Sequence, residues 1–169
     1  MVNSTSQPFD ARPSSIPSVK RVLNAGSGPP APDRLHPYFR DPSWREIRMD
    51  IDQSVRPDLI GSISDLSSLG DESFHAIWCS HSLEHLYQHE AIKALKAFRR
   101  ILVPGGFALI TCPDLEPIAE LVINGRLEET AYQSPAGPIT AREMLYGHRP
   151  SIERGQTFMA IGPVLLPIE

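Results

Sequence analysis

Lys20-Arg-Val-Leu-Asn-Ala-Gly-Ser-Gly28 is the first strongly apolar run of the chain, and it ends in a Gly-x-Gly turn. Apolar residues feeding a short strand, followed by two glycines, let the backbone approach a ligand closely. A glycine turn of this kind normally opens straight into a helix. Here Pro29-Pro30-Ala31-Pro32 follows instead. Each proline deletes a backbone N–H and is welcome only in the first helical turn. Residues 29–45 are therefore expected to form a loop, with at most one short helical turn near Asp33–Tyr38.

The segments that follow alternate between strand and connector. Trp44-Arg-Glu-Ile-Arg-Met-Asp50 alternates and ends in an acid, which predicts a second strand. Leu59–Ile63 predicts a short third strand, left by Ser64-Asp65-Leu66. Ser73-Phe-His-Ala-Ile-Trp-Cys79 predicts a buried fourth. Glu90–Leu102 is the clearest helix, with Ile92, Leu95, Phe98 and Leu102 on one stripe. Val103-Pro-Gly-Gly106 stops it, and Phe107–Cys112 predicts a fifth strand. Strands alternating with connectors imply an α/β chain with a doubly wound, mainly parallel sheet. In such sheets ligands bind beyond the carboxyl ends of the strands. Asn24–Gly28, Asp50-Ile51, Ser64-Asp65 and Ser80-His81 would then lie along one edge.

Beyond Cys112 a helix is expected from Pro113 to about Ile123, ended by Asn124-Gly125. Gln133–Pro138 reads as a loop. Thr140-Ala-Arg-Glu143 resembles a capping box opening a short helix to Tyr146. Residues 160–169 hold one very short strand at most.

The totals limit the function classes. The 169 residues, 41% apolar, suit one globular domain. A net charge of −4 argues against broad binding to nucleic acid or anionic membranes. No apolar run approaches the ~20 residues of a membrane span. The first 18 residues lack an apolar signal core, so a flexible tail and a cytoplasmic protein are expected. Cys79 and Cys112 have no zinc or redox spacing and read as reduced thiols near strand ends.

Gly26-Ser-Gly28-x-x-Ala31 formally matches a dinucleotide fingerprint, but a pyrophosphate needs free N–H groups and a helix N-terminus. The prolines remove them, which disfavours a nicotinamide oxidoreductase. A ligand without phosphate would not miss them. S-adenosylmethionine presents a ribose diol, an adenine and an amino-acid end. Asp50 lies about 20 residues beyond the glycines, the spacing of a ribose-binding carboxylate, with Asp52 as the alternate. Asp65 suits the adenine amino group. Backbone near Asn24–Gly26 and Ser80-His81 suits the methionine end.

The ordered set Val22–Gly28, Met49–Asp52, Ser62–Leu66, Phe74–Leu86 and Phe98–Gly106 resembles the class I S-adenosylmethionine-dependent methyltransferases, of the methyltransferase type 11 kind. The resemblance covers about residues 19–115. It implies a Rossmann-like core of about five strands in the order 3-2-1-4-5 at residues 19–115, after a tail at 1–18. A shortened helical and loop lid follows at 116–169, with the family's usual last two strands missing. It implies S-adenosyl-L-methionine as cofactor, held by Asn24, Ala25, Gly26, Ser27, Gly28, Asp50, Ile51, Ser64, Asp65, Leu66, Ser80 and His81. The acceptor class is a small molecule, lipid or saccharide precursor.

The chain also departs from the pattern. Asn24 stands where the family carries an acid, and His75 replaces an acid of the fourth strand. With the short C-terminus, Asn24 keeps open a second reading, a degenerate methyltransferase-like cofactor-binding or partner protein. His81 and His85 are the candidate bases. His81, Glu84 and His85 have i, i+3, i+4 spacing. The resemblance to ubiquinone-pathway O-methyltransferases, which carry Glu where this chain has His81, raises a metal site there, against the plainer reading that Glu84-His85 packs the helix start. His148 and Arg149 fall where the family builds its acceptor lid, and Arg149 could hold an anionic acceptor. A sheet ending at its fifth strand would present an unpaired edge, which a homodimer would cover.

Overall fold

The computed structural model describes residues 19–31, 33–134 and 137–146. The tail at 1–18, the segment at 160–169, and His148 and Arg149 lie outside the described residues. Five parallel strands form the main sheet: β1 (Lys20–Ala25), β2 (Trp44–Asp50), β3 (Leu59–Ile60), β4 (Phe74–Ser80) and β5 (Leu102–Thr111). Their order is β3-β2-β1-β4-β5, as the resemblance to the class I methyltransferases implied. β1 lies in register between β2 (Ala25 opposite Met49) and β4 (Ala25 opposite Cys79), so the glycine turn leaves from the middle of the sheet.

The two faces of the sheet are covered by different means. On one face Leu23, Ala25, Met49, Ile77 and Cys79 pack under Phe98 and Ile101 of α1 (Gln88–Ile101). Of the stripe read from the sequence, Phe98 is buried here and Leu95 packs against the cluster, while Ala94 and Ile101 complete the buried helix face and Leu102 already belongs to β5. At the helix start, Glu90 Oε2 accepts a hydrogen bond from Tyr87 N–H at 3.1 Å.

On the opposite face, among the described residues, no α-helix follows the glycine turn. The proline-rich loop ends in a 3-10 turn at Pro37–Phe39, and Phe39 is driven into the sheet beside Val22, Ala76 and Trp78. Phe39 packs edge-to-face on Trp44 at 5.0 Å and stacks on Phe107 at 6.0 Å. Trp78 Nε1 donates to Arg34 O at 2.9 Å and ties the loop down. An aromatic cluster thus replaces a helix that the prolines forbid.

Two sequence expectations need correction. β3 is only Leu59–Ile60; the chain then turns, and Ile63 goes into the core. β5 starts at Leu102, directly after α1, because Gly105 (φ 79°) and Gly106 lie within a strand irregular against β4 rather than ahead of it. A side chain at Gly106 would strike the carbonyl oxygens of Val103 and His75.

The C-terminal part holds α2 (Leu115–Ile123), β6 (Thr130–Ser134), β7 (Gly137–Thr140) and α3 (Ala141–Tyr146). Helix and loop alone were expected there, and the antiparallel β6–β7 pair corrects that expectation. The Gln133–Pro138 stretch holds a strand end and a strand start. The capping box is present: Glu143 N–H donates to Thr140 Oγ1 at 3.2 Å, and Thr140 N–H to Glu143 Oε2 at 2.9 Å. Asp114 caps α2 through Glu116 N–H. Among the described residues no helix is long and apolar enough to cross a membrane.

Candidate functional site

The carboxyl ends of β1, β2 and β4 meet around the glycine turn. Gly26 and Gly28 both take positive φ, 77° and 61°, which a side chain would strain. The N–H groups of Gly26 and Ser27 both donate to Met49 O, at 2.9 and 3.0 Å, and fold the turn back over β2. Gly28 N–H donates to Asp50 Oδ2 at 2.7 Å, and Asp52 N–H to Asp50 Oδ1 at 2.9 Å. Asp50, last residue of β2, is therefore the polar centre of the turn. A phosphate placed here would meet a carboxylate and find Gly28 N–H already used. A sugar diol would meet an acceptor.

Ile51 follows, an exposed apolar side chain at the strand ends. Asp52 caps a 3-10 turn at Gln53–Val55 by accepting from Ser54 N–H at 2.8 Å, so it is occupied in holding that turn. Ser64 Oγ pairs with Ser62 Oγ at 2.8 Å. Asp65 is exposed and accepts from Ser67 N–H at 3.1 Å. Hydrogen bonds from Ser67 hold its carboxyl below the ordinary value. Leu66 requires correction: its side chain is in the core under α1, and its carbonyl accepts from Arg100, so it presents no side chain to a ligand.

Several residues that shape this edge were not singled out from the sequence. Arg48 donates to Gly28 O at 2.5 Å and to Val55 O and Arg56 O at 3.1 and 3.0 Å, clamping the glycine turn to the loop after β2. The Arg34 guanidinium fills the space where a Gly28 side chain would sit. Ser82 Oγ occupies the corresponding space at Gly26 and lies 3.4 Å from Ala25 O. Glu46 Oε1 accepts from buried Asn24 Nδ2 at 2.6 Å, so an acid from β2 stands beside the asparagine. In β2 the alternation of Glu46, Arg48 and Asp50 was visible, since these share one strand face. Their convergence on β1 was not.

At the end of β4, Ser80 Oγ and Thr111 Oγ1 lie 2.9 Å apart and join β4 to β5. His81 follows with φ 51°, its N–H donating to Thr111 O at 2.9 Å. Leu83–His85 is a 3-10 turn. His81 Nδ1 lies 3.5 Å from Glu84 Oε1; the imidazole is about half exposed and the Glu84 side chain is 8% exposed. The hydrogen bond to Glu84 raises the His81 pKa above the ordinary imidazole value against the opposing effect of burial. The tight turn and the left-handed His81 break the helical spacing that would have put His81, Glu84 and His85 on one face. Among the described residues no group of three His, Cys, Asp or Glu side chains is placed to hold a metal ion. Cys79 is buried, its thiol pushed up to about 12 by burial. Cys112 is exposed just after β5, raised by burial of its thiol and by the charge of Glu84.

Residues 36–110 match the family model described as a methyltransferase domain. The chain superposes on the PH0226 protein of Pyrococcus horikoshii with a TM-score of 0.50 at 20% identity, over 68% of this chain and 57% of that one. The chain has the Rossmann-like methyltransferase fold. The chain is also similar to a SAM dependent methyltransferase of Archaeoglobus fulgidus (TM-score 0.49, 22% identity, 66% of this chain and 55% of that one). The YcgJ protein of Bacillus subtilis is another (TM-score 0.45, 20% identity, 66% and 53%). The chain spans a little over half the length of these structures. No curated protein matches it.

Proposed function

We propose that this methyltransferase domain binds S-adenosyl-L-methionine and transfers its methyl group to a small-molecule, lipid or saccharide-type acceptor. The observation that carries the reading is the placement of the Asp50 carboxylate against Gly28 N–H, at the one edge where β1, β2 and β4 all end. A carboxylate there accepts hydrogen bonds from a ribose diol and repels a phosphate. Ile51 offers an apolar face to an adenine, and Asp65 and Ser64 polar atoms to its edge. Asn24, Ala25, Gly26, Ser27, Ser80 and His81 remain for the amino-acid end.

The bound cofactor would supply a methyl group already activated on a sulfonium. The protein's own part is alignment of the acceptor and, for an oxygen or nitrogen acceptor, removal of a proton. His81 stands at the right strand end for that base, and His85 is set back in the 3-10 turn. His148 and Arg149, outside the described residues, are proposed from the sequence alone as acceptor-binding residues. Calorimetry with S-adenosylmethionine tests the reading: micromolar binding supports it. No binding at millimolar ligand would favour the non-catalytic alternative that Asn24 suggests. Glu46 speaks against that alternative, because it returns an acidic oxygen to hydrogen-bond distance of Asn24.

Among the described residues β5 pairs with β4 alone. We take its free edge as the dimerisation surface, and light scattering showing a strict monomer at high concentration would refute this.

A further inference from the structure

His81, Glu84 and the ring of Tyr132 come together at the end of β4. Glu84 is a buried carboxylate one turn from the end of β4. Its Oε2 has no hydrogen-bond partner among the described residues, and its Oε1 faces His81 Nδ1. A half-satisfied buried carboxylate is costly unless it does something for the site. His81 is itself held in an uncommon backbone conformation for a residue with a Cβ, φ 51°, fixed by its N–H bond to Thr111 O. Such strain is kept where surrounding structure over-determines it, and it gathers at functional sites. Tyr132 of β6 lies near-parallel to the imidazole, with ring centroids 6.1 Å apart at 16°. Both rings are partly exposed.

We propose that Glu84 positions His81 as the proton acceptor of the acceptor subsite, and that Tyr132 is the wall of that subsite, suited to a planar conjugated acceptor carrying an O–H or ring N–H. This rests on the methyltransferase reading above. With Nδ1 turned to Glu84, Nδ1 carries the hydrogen and Nε2 keeps its lone pair. As the acceptor's oxygen or nitrogen gains its bond to the methyl carbon, its proton passes to His81 Nε2, and the electron pair of the broken carbon–sulfur bond stays on sulfur. Glu84 offsets the imidazolium charge, and the proton then leaves to water. The groups facing His81 are Glu84 from the turn, Tyr132 from β6 and the Thr111 carbonyl from β5, with the Cys112 thiol beside Glu84. Tyr132 gives a flat ring of the acceptor something to lie against, which a saccharide would not use.

The experiment uses the full chain, 4-nitrophenol as the probe and glucose as the control, in saturating S-adenosylhomocysteine. NMR follows the His81 and Tyr132 ring signals. The expected result is that 4-nitrophenol shifts both and glucose shifts neither. Y132A should weaken 4-nitrophenol binding about 3- to 10-fold, the loss of one aromatic contact. In the protein without ligand, E84Q should lower the His81 titration midpoint towards the ordinary imidazole value. An unchanged midpoint in folded E84Q overturns the positioning role. Absence of shifts at His81 and Tyr132, or equal shifts with glucose, overturns the subsite. Should E84Q fail to fold, the wild-type probe titration still decides. Failure of the wild type to bind S-adenosylhomocysteine at all would refute the methyltransferase reading itself and is scored separately by calorimetry.

Discussion

The turns after β1 and after β4 stand side by side at the carboxyl edge of one sheet, yet they are built differently. The turn at Asn24–Gly28 is made of backbone. Two glycines at positive φ, two N–H groups on Met49 O and one on Asp50 fix it, with Arg48 clamping it from outside. The turn at His81–His85 is made of side-chain charge: a strained histidine, a buried glutamate and a ring from a distant hairpin. A turn held by backbone groups at positive φ tolerates no bulk. A charge-made turn tolerates isosteric replacement and follows the titration of its members. The first suits a ligand recognised by shape and polar edges, the second a proton that must move.

The sharpest way to break the contrast is at Asp50. Asp50→Ala leaves the N–H groups of Gly28 and Asp52 without their acceptor and removes the proposed diol anchor. Calorimetry should show S-adenosylmethionine affinity lower by about 100-fold, as expected when two charge-assisted hydrogen bonds are lost. A change of less than about threefold would remove Asp50 from the cofactor site.

Gly26→Ala comes next. Its φ of 77° and the Ser82 hydroxyl in the path of the new methyl both oppose it. A loss of about 1–3 kcal/mol in chemical denaturation is expected. If the glycine turn were loosely held, the loss would be near zero.

At the second turn the effect is smaller and depends on pH. The His81 pKa is raised in the folded protein, first by the hydrogen bond to Glu84. The stability that this pairing contributes is therefore fully present below the ordinary imidazole pKa of about 6.5, and it is lost as pH rises through the raised folded value. Because His81 is half exposed, screening limits the contribution to between a few tenths and about 1 kcal/mol. Urea midpoints of wild type and E84Q should differ most near pH 6 and converge at alkaline pH. A difference that grew with pH would contradict the pairing.

Arg126 and Glu129 form an exposed ion pair after α2, where solvent screens both charges. Arg126→Ala should leave the Tm unchanged. A measurable loss there would show that the C-terminal region is more tightly built than its exposed residues indicate.

How much of this was legible depended on the range of the interactions. β2 was read to the residue, Trp44–Asp50, because period-2 alternation is local and ends at an acid. α1 was read to within two residues, because its apolar stripe is also local. β3 was read too long: Gly61-Ser-Ile63 has strand composition, but Ile63 turns into the core after only two paired residues. The hairpin β6–β7 was missed because Thr130–Ser134 is short, polar and followed by Pro135, which reads as loop when its partner strand is not known. Leu66 was placed with the ligand by its position in the chain, whereas burial gave it to the core.

By itself the sequence determined the alternation of strands and connectors, the place of the glycine turn, the loss of a helix behind it and Asp50 at its proper spacing. These follow from residue periodicity, from proline's missing N–H and from glycine's access to positive φ, all properties of a few consecutive residues. Only the tertiary structure decided that Glu46 stands beside Asn24, that Arg48 clamps Gly28, and that Tyr132 lies along His81 while no metal cluster forms among the described residues. Each of those contacts joins residues separated by roughly 20 to 50 positions. Pairings at that separation are fixed by sheet register and by packing of the C-terminal hairpin, and no local pattern encodes them.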